Sequence, residues 1–499
     1  MTTKEEWQQE NQYLRERVRL QQEKIDVQQA LLEQQQALLN QQHALIEGLH
    51  KQVGLLEELV AALQERWKED GLNSHLPPSS DRFHRQHKSL RQKSGKKAGG
   101  QSGHPGNTLM PSLMPNAVIV QPVESCQHCQ QDAHAVDCRQ VERRQVIDLP
   151  PKRVLVIEHQ AEQKWCPSCQ HVSTAAFPDN VRAPVQYGAA FGAVVVYLVE
   201  PQLLPYERAC EVMQDLLEPT VCVGTLQSLA QRRAESLEPV EQHIKAALSC
   251  EEILHQDEAG LYVAGQHYWM LVSSTGRLTH YAVHPKRGKE ALEDIGILQD
   301  FYGTSVHDGW RFYWHYPCQH ALCNVHRLRE LTFLHEEQQQ VWAGQMKTVL
   351  LDMTAVERAR TEGCTSLHPL EVQDWKAQYV ALLLEGYRAN PPDPPREAGM
   401  KGRRKQSPAL NLLDRLSKVQ DAIIAFLDNF AVPFDNSLAE RDIHMLRVQQ
   451  KVSGCFRPVV GARAFCRIRG YMSTLRKRGL PVLTALEQAL VGHPVSPAF

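Results

Sequence analysis

Apolar residues recur at every seventh position from Val18 through Ile25, Leu32, Leu39, Ile46, Val53 and Val60 to Trp67. No proline interrupts residues 5–67, which are rich in Gln, Leu and Glu. A sustained seven-residue repeat keeps one stripe on one side only if helices wind around each other left-handedly. Residues 5–70 are therefore expected to form a coiled coil. Leu49, Leu56 and Leu63 supply a second seam position in the C-terminal half. Gln28, Gln35 and Gln42 occupy it in the N-terminal half and weaken it, while Leu31, Leu38 and Leu45 broaden the stripe. Self-association is the expectation, and a lone amphipathic helix packed on its own chain is the alternative.

A helix of this kind is only part of a 499-residue chain, long enough for two to four domains. Charged residues make up 22% of the chain, which excludes wholesale disorder. The longest apolar run, Ala189–Val199, is shorter than the roughly 20 residues a membrane span needs. The start, MTTKEEWQQENQ, has neither the basic nor the apolar region of an export signal, so a cytoplasmic protein is expected. In that setting the 13 cysteines read as thiols and metal ligands and not as a disulfide framework.

Charge is unevenly spread. Arg82, Arg85, Lys88, Arg91, Lys93, Lys96 and Lys97 fall in a stretch, 82–123, that has no acidic residue. Residues 441–478 hold ten Lys/Arg, among them Arg447, Lys451, Arg457, Arg463, Arg467 and Arg469, against the single acid Asp442. Basic islands in an acidic remainder suggest contact with a polyanion, and a solvated charged loop is the alternative. The first island lies in a Pro-, Gly- and Ser-rich stretch read as a basic flexible linker, 71–119.

Cys126-x-x-Cys129 and Cys166-x-x-Cys169 follow. Two such pairs supply the four thiolates of a closed, structural zinc site, so residues 120–175 are expected to be a small zinc-binding module with one Zn²⁺. Val154–His159 reads as a strand within it, and Cys138 and His134 are spare ligands. Residues 181–248 read as helical, with Glu207–Leu217 and Val223–Leu237 forming either a helix-turn-helix or a plain helical hairpin.

From Glu251 the pattern changes to a mixed α/β order, β-β-β-α-β-α-β-α, over residues 250–335. A helical stretch, 336–430, reads as an insertion, and residues 431–480 return to the α/β domain. Asp257 and Asp308 are expected at strand ends, at one edge of the sheet. Glu440 is expected on a helix that starts with a capping box, Ser437 to Glu440. Three convergent carboxylates make chemical sense around divalent cations; two ions roughly 3.5–4 Å apart serve an in-line phosphoryl transfer. The bland reading is turn aspartates and a helix-capping glutamate.

The ensemble resembles the insertion-sequence sixty-six family of transposases. The resemblance rests on the GKKAGGQSGHPGNT linker, the paired CxxC module ending KWCPSC, Tyr187, Gly188, Pro205, Tyr206 and Arg208, the Asp257–Glu258 pair, the HDGW block His307–Trp310, and the block Asp435–Arg447. Ala259 stands where Thr is usual and Ser437 where a second Asn is often found. The resemblance implies a DDE transposase with an RNase H-like catalytic domain and metal-binding roles for Asp257, Asp308 and Glu440, with two Mg²⁺ or Mn²⁺ ions. It implies DNA, both element ends and target, as partner, with homo-oligomerisation through the coiled coil and small accessory proteins of the same element as further candidates. A non-catalytic, zinc-dependent DNA-binding regulator derived from a transposase is the rival, and a general nuclease without strand joining is a third reading. Cys323 and His326 are either ligands or packing residues at a strand-to-helix junction.

Overall fold

The computed structural model describes residues 4–68, 111–125, 128–147, 154–169, 171–218, 220–392 and 406–496. By internal contacts the chain divides into residues 1–87 with 326–347, and residues 88–325 with 348–499.

The N-terminal segment is one helix, α1 (Lys4–Lys68). At about 1.5 Å per residue it is roughly 100 Å long. Its seven-residue stripe is open to solvent: Val18, Leu39, Ile46 and Val60 are all exposed.

The cysteine-rich segment holds a two-stranded antiparallel sheet, β1 (Gln163–Trp165) and β2 (Val172–Thr174). The Cys166–Cys169 turn joins the two strands. The strand expected at Val154–His159 does not form. Its consecutive apolar residues Leu155, Val156 and Ile157 are exposed, so among the described residues no buried face rewards pairing there.

Four helices follow: α2 (Ala189–Val199), α3 (Tyr206–Leu217), α4 (Val223–Ser236) and α5 (Glu238–Ser249). The longest apolar run is thus a core helix, α2, which buries Ala193 and Val196. Helices α3 and α4 match the bounds of the two expected helices within a residue at each end.

The central sheet contains β3 (Ile253–Val263), β4 (Gln266–Ser274), β5 (Thr279–His284), β6 (Thr304–His307) and β7 (Gln319–Leu322). Its order is β5-β4-β3-β6-β7. The first three strands are antiparallel, and β3, β6 and β7 are parallel. Between β5 and β6 lies α6 (Lys289–Ile295), and a short 3₁₀ turn, Tyr313–His315, precedes β7. The β3–β4 hairpin turns at Ala264 and Gly265, both at positive φ (50° and 78°), as a two-residue hairpin turn demands. This turn lets β3 run six residues past Asp257. The expectation that the strand ends at Asp257 is therefore corrected: Asp257 lies mid-strand.

Helices α7 (Asn324–Glu336), α8 (Val341–Asp352), α9 (Ala355–Thr361), α10 (Pro369–Ala389), α11 (Pro408–Lys418), α12 (Gln420–Ile423) and α13 (Ala425–Asp428) make up the helical stretch. The chain then forms α14 (Ser437–Ser453), α15 (Val459–Lys477) and α16 (Val482–Leu490). One sheet face carries Ala259, Leu261, Val263, Met270 and Val272 against Ala439, Ile443 and Leu446 of α14 and Phe465 of α15. The other face, with Leu254 and Leu271, packs on Ala291, Phe301 and Tyr313. Helix α15 approaches β5 so closely that a Cβ at Gly470 would stand 3.1 Å from the Thr279 carbonyl, so only glycine fits without displacing backbone.

Candidate active site

The alternation of β3 puts Asp257 on the face it shares with Ala259 and Leu261, toward α14, and Glu258 on the opposite face. Strand β6 pairs with β3 up to His255–Val306. Two residues further along each parallel strand come Asp257 and Asp308, so the two carboxylates emerge side by side where β6 has ended. Beyond that point Asp257 keeps only Val272 of β4 as its pairing partner. The Trp310 N–H donates to Asp308 Oδ1 at 2.8 Å, holding that carboxylate in the turn after β6. Gly309 makes this turn at φ 99°.

Glu440 comes from the first turn of α14. The helix starts where expected, but not through a capping box. Its N-cap is Asn436, and the Ser437 N–H donates to Asp435 Oδ1 at 2.9 Å. The Asn436 side chain is spent on the sheet. Its amide donates to the Gln256 carbonyl at 2.7 Å, its oxygen lies 2.8 Å from His255 Nδ1, and its N–H meets Cys323 Sγ at 3.3 Å. Asn436 thereby pins the start of α14 one residue before Asp257. The Cys323 thiol donates to Glu440 Oε1 at 3.6 Å, and burial together with the Glu440 charge pushes its pKa well up. Cys323 Sγ thus lies between the Asn436 N–H and Glu440 Oε1. His326 lies in the first turn of α7.

Burial, and then the charges of Glu258, Asp308 and Glu440, raise the Asp257 carboxyl well above the usual carboxylate range; the Glu258 N–H, 2.9 Å from Asp257 Oδ1, opposes the shift. Glu258 is pushed up to about 7, by burial first and then by Asp308, against the pull of Arg287. The Tyr313 hydroxyl donates to Glu258 Oε2 at 2.8 Å, and Arg287 forms an ion pair with Oε1. Four carboxylates so crowded are costly as bare charges. A hard divalent cation, which takes oxygen ligands, removes that cost, so the donor set fits one. Among the described residues, Asp257, Asp308 and Glu440 do not close to within 4.8 Å as a set, so they do not form a collapsed single-ion cage.

The model of the Transposase IS66 family matches residues 184–464, more than half of the chain and a span that holds all three carboxylates. The chain belongs to this family. A second model, the zinc-finger binding domain of transposase IS66, matches residues 124–170. Residues 3–110 match a family of unknown function (DUF6444). No curated protein matches the chain.

In this IS66-family chain the zinc-finger match spans both CxxC pairs. Cys126 lies outside the described residues. Cys129 and Cys169 are exposed and Cys166 is partly covered. The Cys166 thiol is lowered in pKa, chiefly by the N–H of Cys169 and then by its thiol. A thiol that receives N–H groups from its own knuckle is prepared to be a thiolate ligand, and this fits a zinc site. Of the spare ligands, His134 sits 2.8 Å from Asp132 and Cys138 faces the Gln140 carbonyl.

The linker cations Arg82, Arg85, Lys88, Arg91, Lys93, Lys96 and Lys97 lie outside the described residues. Lys451, Arg457 and Arg463 are exposed, and Arg447 is half-buried. Arg467 is held by Glu241, at 2.6 Å, and by Glu238; Arg469 is buried beside the Glu200 carbonyl. Sequence reasoning assigned no role to Asn436, Arg287, Trp269 or Tyr313. Of these, Asn436 falls within the block Asp435–Arg447, which points to the helix without saying what Asn436 bonds. No helix among the described residues is long and apolar enough to cross a membrane.

Proposed function

We propose that this IS66-family protein is an active DNA transposase, which hydrolyses a strand at each element end and joins the freed 3′-hydroxyl to target DNA. The observation that carries this reading is the meeting of Asp257, Asp308 and Glu440, from β3, the end of β6 and α14, at the point where β3 loses β6 as a neighbour. The sheet order, three antiparallel strands continued by two parallel ones, supports an RNase H-like catalytic domain.

Asp257, Asp308 and Glu440 would hold two Mg²⁺ or Mn²⁺ ions, which when bound supply Lewis-acid stabilisation of the charge that develops at phosphorus. The chain's own residues set the geometry. Asp257 and Asp308 present oxygens from adjacent strands. Asn436 and Cys323 fix Glu440 against them, and Ala259 and Ile443 form a dry floor beneath. In hydrolysis, a water oxygen bonds to phosphorus and the 3′-oxygen leaves with a proton. In joining, that 3′-hydroxyl bonds to a target phosphorus and the target's own 3′-oxygen leaves. Each step breaks one P–O bond and makes one, so one site serves both.

The zinc module, the basic linker and the α3–α4 pair are assigned to the element ends, with Lys451, Arg457 and Arg463 along the phosphate backbone. Helix α1 pairs two copies so that two ends are held together. The test is cleavage of end DNA by Asp257→Asn, Asp308→Asn and Glu440→Gln, each of which removes one charged oxygen with little change of shape. Each is expected to lose cleavage by a factor of at least about 10³ while binding of end DNA in EDTA survives. Near wild-type cleavage by any of the three would remove that residue from the site, and a wild-type protein that binds ends without cutting them would favour the regulator.

A further inference from the structure

Arg287 lies in the loop after β5, just before Gly288, whose φ of 142° turns the chain into α6. Its guanidinium, on a side chain 36% exposed, lies over two indoles, 4.7 Å from the ring centroid of Trp269 on β4 and 4.5 Å from that of Trp310 in the turn after β6. The same guanidinium pairs with Glu258, whose side chain is only 3% exposed. Glu258 also accepts from Tyr313, whose hydroxyl is 2.8 Å away. The Trp310 ring in turn packs edge-on against Tyr313 at 5.4 Å, and the backbone N–H of Trp310 donates to Asp308 Oδ1.

Arg287 thus touches both halves of the site through one intermediary each. Glu258 is the chain neighbour of Asp257, and Trp310 holds Asp308. The planar, delocalised cation is suited to this: its faces stack on indoles while its edge pairs with a carboxylate, which an ammonium cannot reproduce. Holding an extra acid beside three carboxylates is counterproductive unless it does something, and here it anchors the clamp.

We propose that Arg287 is a positioning residue: clamped by Trp269 and Trp310 and paired with Glu258, it fixes the spacing between Asp257 on β3 and Asp308 after β6. The proposal rests on the reading of those two residues as divalent-cation ligands, and the experiment separates the two claims. Three proteins are compared: wild type, Arg287→Lys, and the double variant Glu258→Gln with Arg287→Met, which removes both charges so that no unpaired carboxylate is left buried. Mn²⁺ binding is titrated on each by electron paramagnetic resonance without DNA, and cleavage of end DNA is measured over a range of Mn²⁺. Binding of end DNA in EDTA and the thermal melt of the metal-free protein report on the fold.

Both variants are expected to need about tenfold more Mn²⁺ for half-saturation, as the loss of a group that orients ligands does elsewhere. Cleavage at wild-type half-saturating Mn²⁺ should fall by about tenfold or more, with DNA binding in EDTA unchanged. If the double variant binds Mn²⁺ and cleaves as wild type does, Arg287 merely neutralises Glu258 and the proposal fails. If the double variant does not fold, Arg287→Lys decides: wild-type Mn²⁺ affinity in that protein overturns the proposal, and a tenfold loss upholds it. If wild type itself takes up no Mn²⁺, the reading of the site as a divalent-cation centre falls, and the positioning role falls with it.

Discussion

Glu200 shows what burial does to a single carboxyl in this protein. It caps the C-terminus of α2 and is 5% exposed, and the loss of water raises its pKa from 4.5 to about 7 against the pull of Arg469. The folded state therefore binds a proton more tightly than the unfolded state does. Stability falls as pH rises from about 4.5 to about 7, and stays at the lower level above that. Glu200→Gln should remove the penalty. At pH 8 the variant is expected to be about 2–4 kcal/mol more stable than wild type, and at pH 4.5 or below the two should be close. Urea unfolding of both proteins at pH 4.5, 6 and 8 measures this, and a gain independent of pH would show that Glu200 does not titrate in the folded protein. Other residues differ in how far they could be read in advance. Asp308 was legible, because the short run TSVH ends in a Gly-containing turn. The role of Ser437 was not. A serine three residues before a glutamate usually caps a helix, but here Asn436 takes the cap position because its side chain reaches β3.

At the scale of elements, α1 stands out because its apolar stripe is exposed. Ile25, Leu32, Leu39, Ile46 and Val53 are 47–64% exposed along one face. An isolated helix gains nothing from such a stripe in water, so a partner helix is the reading we favour. Residues 1–70 alone should form a helical oligomer, most simply a dimer. Replacing Leu39 and Ile46 together by polar residues should dissociate it, since each buried Leu or Ile contributes roughly 1.5–3 kcal/mol. Gln28, Gln35 and Gln42 in the seam place the first fraying in the N-terminal half. Sedimentation equilibrium of the fragment, with helicity followed by circular dichroism, checks this, and a monomeric, unfolded fragment at high micromolar concentration would reject pairing. The period was legible because seven-residue spacing is local. The strand expected at Val154–His159, which does not form, shows the opposite case: apolar residues in a row form a strand only if a neighbour covers them, and among the described residues none covers Leu155, Val156 or Ile157.

The molecule as a whole is unevenly consolidated. The sheet and helices α14 and α15 bury a continuous core, whereas the cysteine-rich segment leaves Val118, Ile119, Val136, Val146 and Trp165 exposed. Its sheet is two strands of three residues each. A segment that buries so little needs a staple, and four thiolates around one zinc would supply it. We expect one tightly held zinc per chain. Cys126→Ser with Cys166→Ser should release it, unfold residues 120–175 and weaken binding of end DNA, while the thermal transition of the α/β core persists. Metal analysis of purified wild type and double variant is the measurement, and zinc retained by the double variant would assign its ligands elsewhere.

The sequence by itself determined the long N-terminal helix, the two CxxC pairs, the order of strands and helices over residues 250–335, and the family. Each of these is written in local spacing: a period of seven, two residues between cysteines, alternation along a strand, short blocks around Asp257, Asp308 and Glu440. Only the tertiary structure decided that Asp257 sits mid-strand and that β6 stops short beside it. It alone brought Asn436 to the Gln256 carbonyl, Cys323 to Glu440, and Arg287 between Trp269 and Trp310 with Glu258 at its edge. These partners lie far apart in the chain, and no period or spacing encodes them. Such pairs form because a buried amide or thiol takes its partner wherever packing places one, as Arg287 takes the indoles and the carboxylate that packing sets beside it, and packing is a property of the whole fold.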